Sequence, residues 1–212
     1  MRVFIAPLGF HEDSVLRMLV HYRASPGDRL VAVTCSPLAP GSRRAFESLR
    51  AQCLRQGLPE PLLVEVSCSR FYEAFPALLR QLRDLGEPEE AVLEVGTGPR
   101  ILGHLASLVL ERLGWRYTIH YEPETGLDQP VEVPWGFIEA VKLRLSKPEE
   151  ALLRLAVSRP GVTVAEAARE TGWSEKTVRN IASRLRGKGL LEKRGRSEAL
   201  EPTPYAAALY SV

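Results

Sequence analysis

The chain has 212 residues, 45% of them hydrophobic and 25% charged, with 28 basic side chains against 26 acidic ones. That is ordinary globular composition, enough for one core and a smaller second one. No apolar run approaches the length of a bilayer span, and the opening Met-Arg-Val-Phe-Ile-Ala-Pro-Leu is too short for a secretory leader, so no membrane partner is expected. The formal charge of +2 hides an uneven distribution. Residues 1–147 carry 17 basic against 18 acidic groups, whereas residues 176–196 carry eight basic groups against one acid, Glu192. A near-neutral front and a locally basic back point to nucleic-acid contact at the back. Cys35, Cys53 and Cys68 are odd in number and show no C-x-x-C spacing. They argue against a disulfide framework or a zinc site and fit a reducing cytoplasm.

In chain order, residues 2–6 (Arg-Val-Phe-Ile-Ala) form a compact apolar run, a buried strand. Pro7 to Phe10 read as a turn. Asp13 or Ser14 caps a helix whose buried stripe is Val15, Leu16, Met18, Leu19 and Tyr22. Residues 30–34 are a second strand, 37–42 a loop, and 43–56 a polar-faced helix ended by Gly57. Residues 62–66 are a third strand. Residues 71–85 are a third helix, in which Pro76 either interrupts the run or marks its first turn. Residues 91–95 are a fourth strand, 96–100 (Gly-Thr-Gly-Pro-Arg) its turn, and 101–113 a helix closed by Gly114. Residues 116–121 alternate as a fifth strand, and 130–133 form a short sixth strand or edge. Repeated strand–helix alternation means a parallel sheet covered by helices on both faces.

In such sheets the ligand crevice lies at the carboxyl ends of the strands. Two loops there carry unusual turn chemistry: the one after the first strand and the one after the fourth. With both strands near the sheet centre, these loops face one another. Gly96 and Gly98 permit close backbone approach, Pro99 suits a first helical turn, and Arg100 sits beside free helix N–H groups that favour anions. A bare Gly-x-Gly is equally a plain helix-start turn with a solvated arginine. The dinucleotide fingerprint G-x-G-x-x-G is absent, as is a Walker lysine, which argues against NAD and P-loop chemistry. His21, His104 and His120 read as structural positions. No three histidines have metal-ligand spacing, so neither a metal nor a cofactor is expected.

Residues 134–146 hold Phe137, Ile138, Val141, Leu143 and Leu145 amid charge, so the join is packed or helical rather than a floppy tether. Residues 147–158 follow as a helix with Pro148 and two glutamates in its first turn. Thr163-Val-Ala-Glu166 matches a capping box opening a short helix over 164–171. Gly172, Trp173 and Ser174 make a tight turn, and Ser174 caps a third helix running to about residue 188. Residues 190–194 and 199–203 read as two strands flanking Gly195 to Glu198, and 204–210 close the chain with an apolar segment. Helix, helix-turn-helix, hairpin is the winged helix-turn-helix order. The third helix presents Ser174, Glu175, Lys176, Thr177, Arg179, Asn180, Ser183, Arg184, Arg186 and Lys188 for duplex DNA, and Arg194 and Arg196 lie on the wing. The competing reading is a solvated face on a protein-interaction domain. One such module grips little DNA, so a two-fold dimer is expected.

The opening Met-Arg-Val-Phe-Ile-Ala-Pro-Leu-Gly-Phe-His-Glu and the Gly-x-Arg-like turn at 96–100 resemble CRISPR-associated Rossmann-fold (CARF) proteins. Joined to a winged helix, the whole chain resembles the archaeal-type CARF transcription regulators of CRISPR loci. The resemblance implies an α/β Rossmann-like sensing and dimerising domain over 1–134, a connector over 135–147, and a winged helix-turn-helix domain over 148–212. It implies a cytoplasmic homodimer with a cyclic oligoadenylate, foremost the four-adenylate ring, lying across its axis. Ligand contacts would fall on Leu8, Gly9, Phe10 and His11 and on Gly96, Thr97, Gly98 and Arg100. Many relatives carry a plain Gly-Gly pair where this chain has Gly-Thr-Gly-Pro-Arg, which puts the ring size in question. Some CARF domains cut their own ligand slowly, so a ring nuclease is the alternative, with Arg100, Thr97 and His11 the nearby groups. A sensor that recruits protein is the third reading.

Overall fold

The computed structural model describes residues 1–123, 129–192 and 198–211. The chain divides into two compact units, Met1–Trp135 and Gly136–Val212.

In the first unit, β1 (Arg2–Pro7), β2 (Arg29–Cys35), β3 (Pro61–Val66), β4 (Glu90–Glu94) and β5 (Tyr117–Tyr121) alternate with α1 (Asp13–His21), α2 (Pro40–Gln56), α3 (Phe71–Asp84) and α4 (Arg100–Leu113). A short antiparallel strand, β6 (Val131–Val133), closes one edge, giving the order β3-β2-β1-β4-β5-β6. The chain winds outward from β1 to β3, crosses over, and winds outward again from β4. Right-handed crossovers therefore place α1 and α2 on one face and α3 and α4 on the other. Strand alternation serves both faces. Phe4, Ala6, Leu30 and Ala32 meet Val15, Leu19, Ala45 and Leu49, all buried, on the α1–α2 side. The intervening Val3, Ile5, Val31 and Val33 are also wholly buried and point to the opposite face. Fully buried parallel strands need this near-continuous apolar run, which is why the strands were plain in the sequence.

Several boundaries shift for physical reasons. Helix α2 starts at Pro40, before the expected 43, because proline fits the first turn. Pro76 lies inside α3 and does not end it. Pro99 is the extended N-cap of α4, not a first-turn residue. Glu12 occupies the N-cap of α1, and neither Asp13 nor Ser14 caps it. The cysteine expectation is corrected as well. Cys35 and Cys68 form a disulfide with Cα atoms 5.3 Å apart. Thirty-three residues separate them in sequence, but β2 and β3 are parallel neighbours with Cys35 opposite Val66. Parallel pairing brings both carboxyl ends together, and sequence spacing cannot show that.

The second unit begins with most of α5 (Trp135–Lys142). It continues through α6 (Lys147–Ser158), β7 (Val162–Thr163), α7 (Val164–Thr171), α8 (Glu175–Gly187), β8 (Leu191–Glu192), β9 (Ala199–Pro202) and α9 (Pro204–Tyr210). Leu152, Leu153, Ala167, Val178, Ile181, Leu185 and Leu200 build its core. β7 was not expected. It adds a strand beside β9, giving the order β7-β9-β8. The Thr163–Glu166 capping box forms as read, with Thr163 Oγ1 accepting from the Glu166 amide at 3.2 Å. No helix among the described residues is long and apolar enough to cross a membrane.

Candidate functional site

The strand order puts β1 beside β4, with Ile5 opposite Leu93. Their exit loops therefore meet at the point where the sheet's winding reverses, the usual crevice of such sheets. They meet backbone to backbone. A Cβ on Gly9 would lie 3.0 Å from Gly98 Cα, and one on Gly98 would lie 2.9 Å from the Pro7 carbonyl carbon. Gly98 also holds φ +68°, a conformation only glycine takes without strain. Thr97 Oγ1 donates across the gap to the Pro7 carbonyl at 2.8 Å.

Under the loop lies Glu94, wholly buried at the end of β4. Its carboxylate accepts from the Gly96 amide at 2.7 Å and the Thr97 amide at 3.2 Å, and it lies 2.6 Å from Thr97 Oγ1, whose single proton is shared between Glu94 and the Pro7 carbonyl. Burial pushes its pKa up, against the pull of those donors, and nearby Glu122 adds to the rise. These two loop amides are therefore already satisfied by a protein carboxylate. An incoming anion must find other donors.

Two clefts flank the glycine loop. One, of about 400 Å³, is lined by Gly9, Phe10, His11, Ser14, Arg17, Thr97 and Glu122. The other, of about 590 Å³, is lined by Val95, Arg100, His104, Ser107 and Tyr121, and the two share Gly96 and Gly98. The expected residues thus divide. Gly9, Phe10, His11, Gly96, Thr97 and Gly98 come together in the first cleft. Arg100 lines the second and is not among the residues lining the first. Leu8 faces neither. It is fully buried in the core, and its amide donates to the Val33 carbonyl at 2.7 Å. The cation of the first cleft is Arg17, whose Nε lies 2.7 Å from Glu122 Oε1. Ser14, in the first turn of α1, has a buried Oγ with no hydrogen-bond partner among the described residues. A buried hydroxyl in a folded protein is normally hydrogen-bonded, so Ser14 stands out on this cleft wall.

On α8 the expected residues divide again. Ser174 is the N-cap, accepting from the Thr177 amide at 3.1 Å. Lys176, Asn180 and Ser183 are exposed, and Lys176 has no ion pair among the described residues. Arg179 is exposed but held by Glu175 at 2.8 Å and by Glu198 at 3.1 Å. Arg184 and Lys188 reach buried Glu149 at 3.3 and 3.0 Å and tie α8 to the start of α6. Arg186 is half-buried, and its Nε has no partner among the described residues. Arg194 and Arg196 lie outside the described residues.

The family model for the Csa3 CRISPR-associated Rossmann-like domain matches residues 2–134. The chain belongs to the Csa3 family. A Saccharolobus solfataricus relative, described as a CRISPR locus-related candidate DNA-binding protein, Csa3, is 30% identical over 201 residues, covering 95% of this chain and 84% of that one. Enterococcus italicus Csm6, solved with cyclic hexa-2'-fluoro-hexa-dAMP, aligns with a TM-score of 0.51 at 12% identity. The alignment covers 89% of this chain and 52% of Csm6, so the chain spans about half that protein's length, and the likeness is one of fold.

In this Csa3-family chain, sequence reasoning missed Ser14 as a wall residue, and also Arg17, Glu94 and Glu122. One signal was available for Glu94. It is the only acid among Ala-Val-Leu-Glu-Val at 91–95, directly before two glycines. An acid ending an apolar strand needs donors, and the following loop amides supply them. Arg17 and Glu122 are 105 residues apart, and nothing local announces their pairing.

Proposed function

We propose that this chain is a ligand-gated DNA-binding transcription regulator of CRISPR loci that acts as a homodimer. Its first unit senses a cyclic oligoadenylate, the four-adenylate ring being the first choice, and its second unit is a winged helix-turn-helix that reads duplex DNA. The observation that carries this reading is the contact of the Gly9 and Gly98 backbones at the switch point. It puts two exit loops, the N-terminus of α1 and the unpartnered Ser14 hydroxyl around one cleft.

The α4 N-terminus has no side-chain cap, and Arg100 stands on it. Free amides and a guanidinium suit a phosphate. A ring spanning both clefts would engage Arg100 on one side of the glycine loop and Ser14 on the other. A two-fold copy would double these groups and match a symmetric ring of phosphates. The solved structure of like fold holds a cyclic nucleotide analogue, which makes cyclic oligonucleotides the first class to test. The S. solfataricus relative's description makes DNA the first partner to test.

On the DNA side, Lys176, Asn180 and Ser183 are exposed polar groups of α8 with no side-chain partner among the described residues. Arg179 must leave Glu175 and Glu198 before it meets a phosphate or base edge. Ligand-dependent placement of two such helices is an allosteric coupling, and linkage makes it reciprocal. The test is fluorescence anisotropy of the full chain on duplex DNA, over a salt series, with and without cyclic tetra-adenylate. The reading expects affinity to fall steeply with salt, with a slope of about −0.9 per phosphate neutralised, and the ring to change affinity several-fold. Salt-independent binding, or affinity indifferent to every ring tried, contradicts it.

A further inference from the structure

Away from both clefts, His21 ends α1, His120 lies in β5 and Glu132 in β6. Antiparallel pairing sets His120 directly opposite Glu132, so both side chains stand on one sheet face. The end of α1 reaches the same face. His21 Nε2 lies 3.0 Å from Glu132 Oε1, and the two imidazole centroids are 5.5 Å apart. One donor atom from each of the three residues lies within 4.8 Å of the other two. The histidines are too far apart in sequence to show a metal signature. The fold assembles one.

His120 is completely buried. Its Nε2 sits 3.2 Å from Glu122 Oε2, while its Nδ1 is buried with no hydrogen-bond partner among the described residues. With Glu122 accepting the Nε2 proton, Nδ1 keeps its lone pair and has no partner for it among the described residues. Metal-bound histidines are built this way, with one nitrogen on the ion and the other held by a carboxylate. Arg17 in turn fixes Glu122 at 2.7 Å.

We propose that His21, His120 and Glu132 bind a divalent transition-metal ion, zinc in the first instance. Two imidazoles and a carboxylate suit zinc, whereas magnesium and calcium prefer oxygen alone. Tetrahedral zinc wants nitrogen and oxygen donors about 3.3 Å apart, from bond lengths of about 2.0–2.2 Å. The present spacing closes by side-chain rotation, because the His21 and Glu132 side chains are 43% and 41% exposed. The ion replaces the His21–Glu132 hydrogen bond, and three protein ligands leave a fourth position for water. It pins α1 to the edge strand β6. Through His120, Glu122 and Arg17 it also steadies the wall of the first cleft.

The test is zinc titration of the chelator-stripped full chain against a competing chromogenic chelator, with thermal melts run in parallel. Wild type should take up one zinc per chain and melt at a higher temperature with it. His21→Ala and Glu132→Gln, both at exposed positions that leave the core intact, should each weaken binding by roughly 100-fold or more. Glu122→Gln should weaken it by about 10–100-fold, as loss of a supporting partner does. Glu65→Gln, at an exposed position of β3, should leave zinc binding unchanged. No uptake by wild type overturns the proposal, as does uptake that survives both His21→Ala and Glu132→Gln. Either result would leave the three residues a plain hydrogen-bonded cluster.

Discussion

The glycine-loop cleft of the first unit and the α8 surface of the second are built on opposite principles. The cleft is a backbone construction. Two loops touch through Gly9 and Gly98, and a buried glutamate satisfies the amides. The α8 surface is a side-chain construction on a regular helix, and much of its positive charge is already spent on Glu149, Glu175 and Glu198. A charge count overstates what α8 can offer DNA, and a glycine count understates how tightly the cleft is specified.

Paired glycine substitutions give the largest expected contrast. Gly98→Ala must strain a left-handed backbone and drive a Cβ into the Pro7 carbonyl carbon, 2.9 Å away. It should cost the first unit about 2–4 kcal/mol. Gly172 in the second unit has φ +72° but nothing within 4 Å of its virtual Cβ. Gly172→Ala should therefore cost only about 1–2 kcal/mol. Urea denaturation of the full chain, followed by probes in each unit, separates the two. Equal costs would mean that the loop contact is not what fixes Gly98.

Next come the α8 charges. Arg179→Ala should weaken duplex binding by about 1–3 kcal/mol if it reads a base, or lower the salt slope by about 1 if it meets a phosphate. Arg184→Ala should chiefly destabilise the second unit and move DNA affinity less. Glu198→Gln releases Arg179 from one clasp and should tighten non-specific DNA binding only slightly, because an exposed ion pair contributes little. Anisotropy at two salt concentrations reads all three.

The smallest effect at neutral pH grows in acid. Each unit holds, among the described residues, a carboxylate held well below its ordinary pKa. Burial pushes Asp28 up, but hydrogen bonds from the Arg2 side chain and backbone outweigh it and hold it at about 2, below its ordinary 3.8. The Ser146 amide, then Lys188 and the Ser146 hydroxyl, hold Glu149 at about 2, below its ordinary 4.5. A folded-state pKa below the unfolded one stabilises above the ordinary value, and that stability is lost as pH falls through the window to about 2. Asp28→Asn should flatten the acid sensitivity of the first unit only, and Glu149→Gln that of the second. Melts between pH 5 and pH 2 check the assignment.

How legible all this was in the sequence follows the same divide. Strands β1 to β5 and helices α6 to α8 could be read because burial and capping leave local patterns: continuous apolar runs, Thr163 with Glu166, and Ser174 as an N-cap. The meeting of the two loops was also legible, because topology places β1 beside β4. The side on which Arg100 falls was not, since that depends on where α4 starts relative to the loop. Pairings such as Arg17 with Glu122, Cys35 with Cys68 and Arg184 with Glu149 join residues far apart in the chain, and a periodic pattern carries no trace of them. Leu8 lies in the core rather than in the crevice, because a strand-end residue can point either way and only the register decides.

The central claim is that the switch-point loops hold a ring of adenylates. The direct measurement is calorimetric titration of cyclic tetra-adenylate into wild type, Arg100→Ala and Ser14→Ala. The account predicts one ring per two chains for wild type, with affinity reduced at least several-fold in each variant. A wild type that binds no cyclic oligoadenylate, or one whose binding both substitutions leave unchanged, would contradict it.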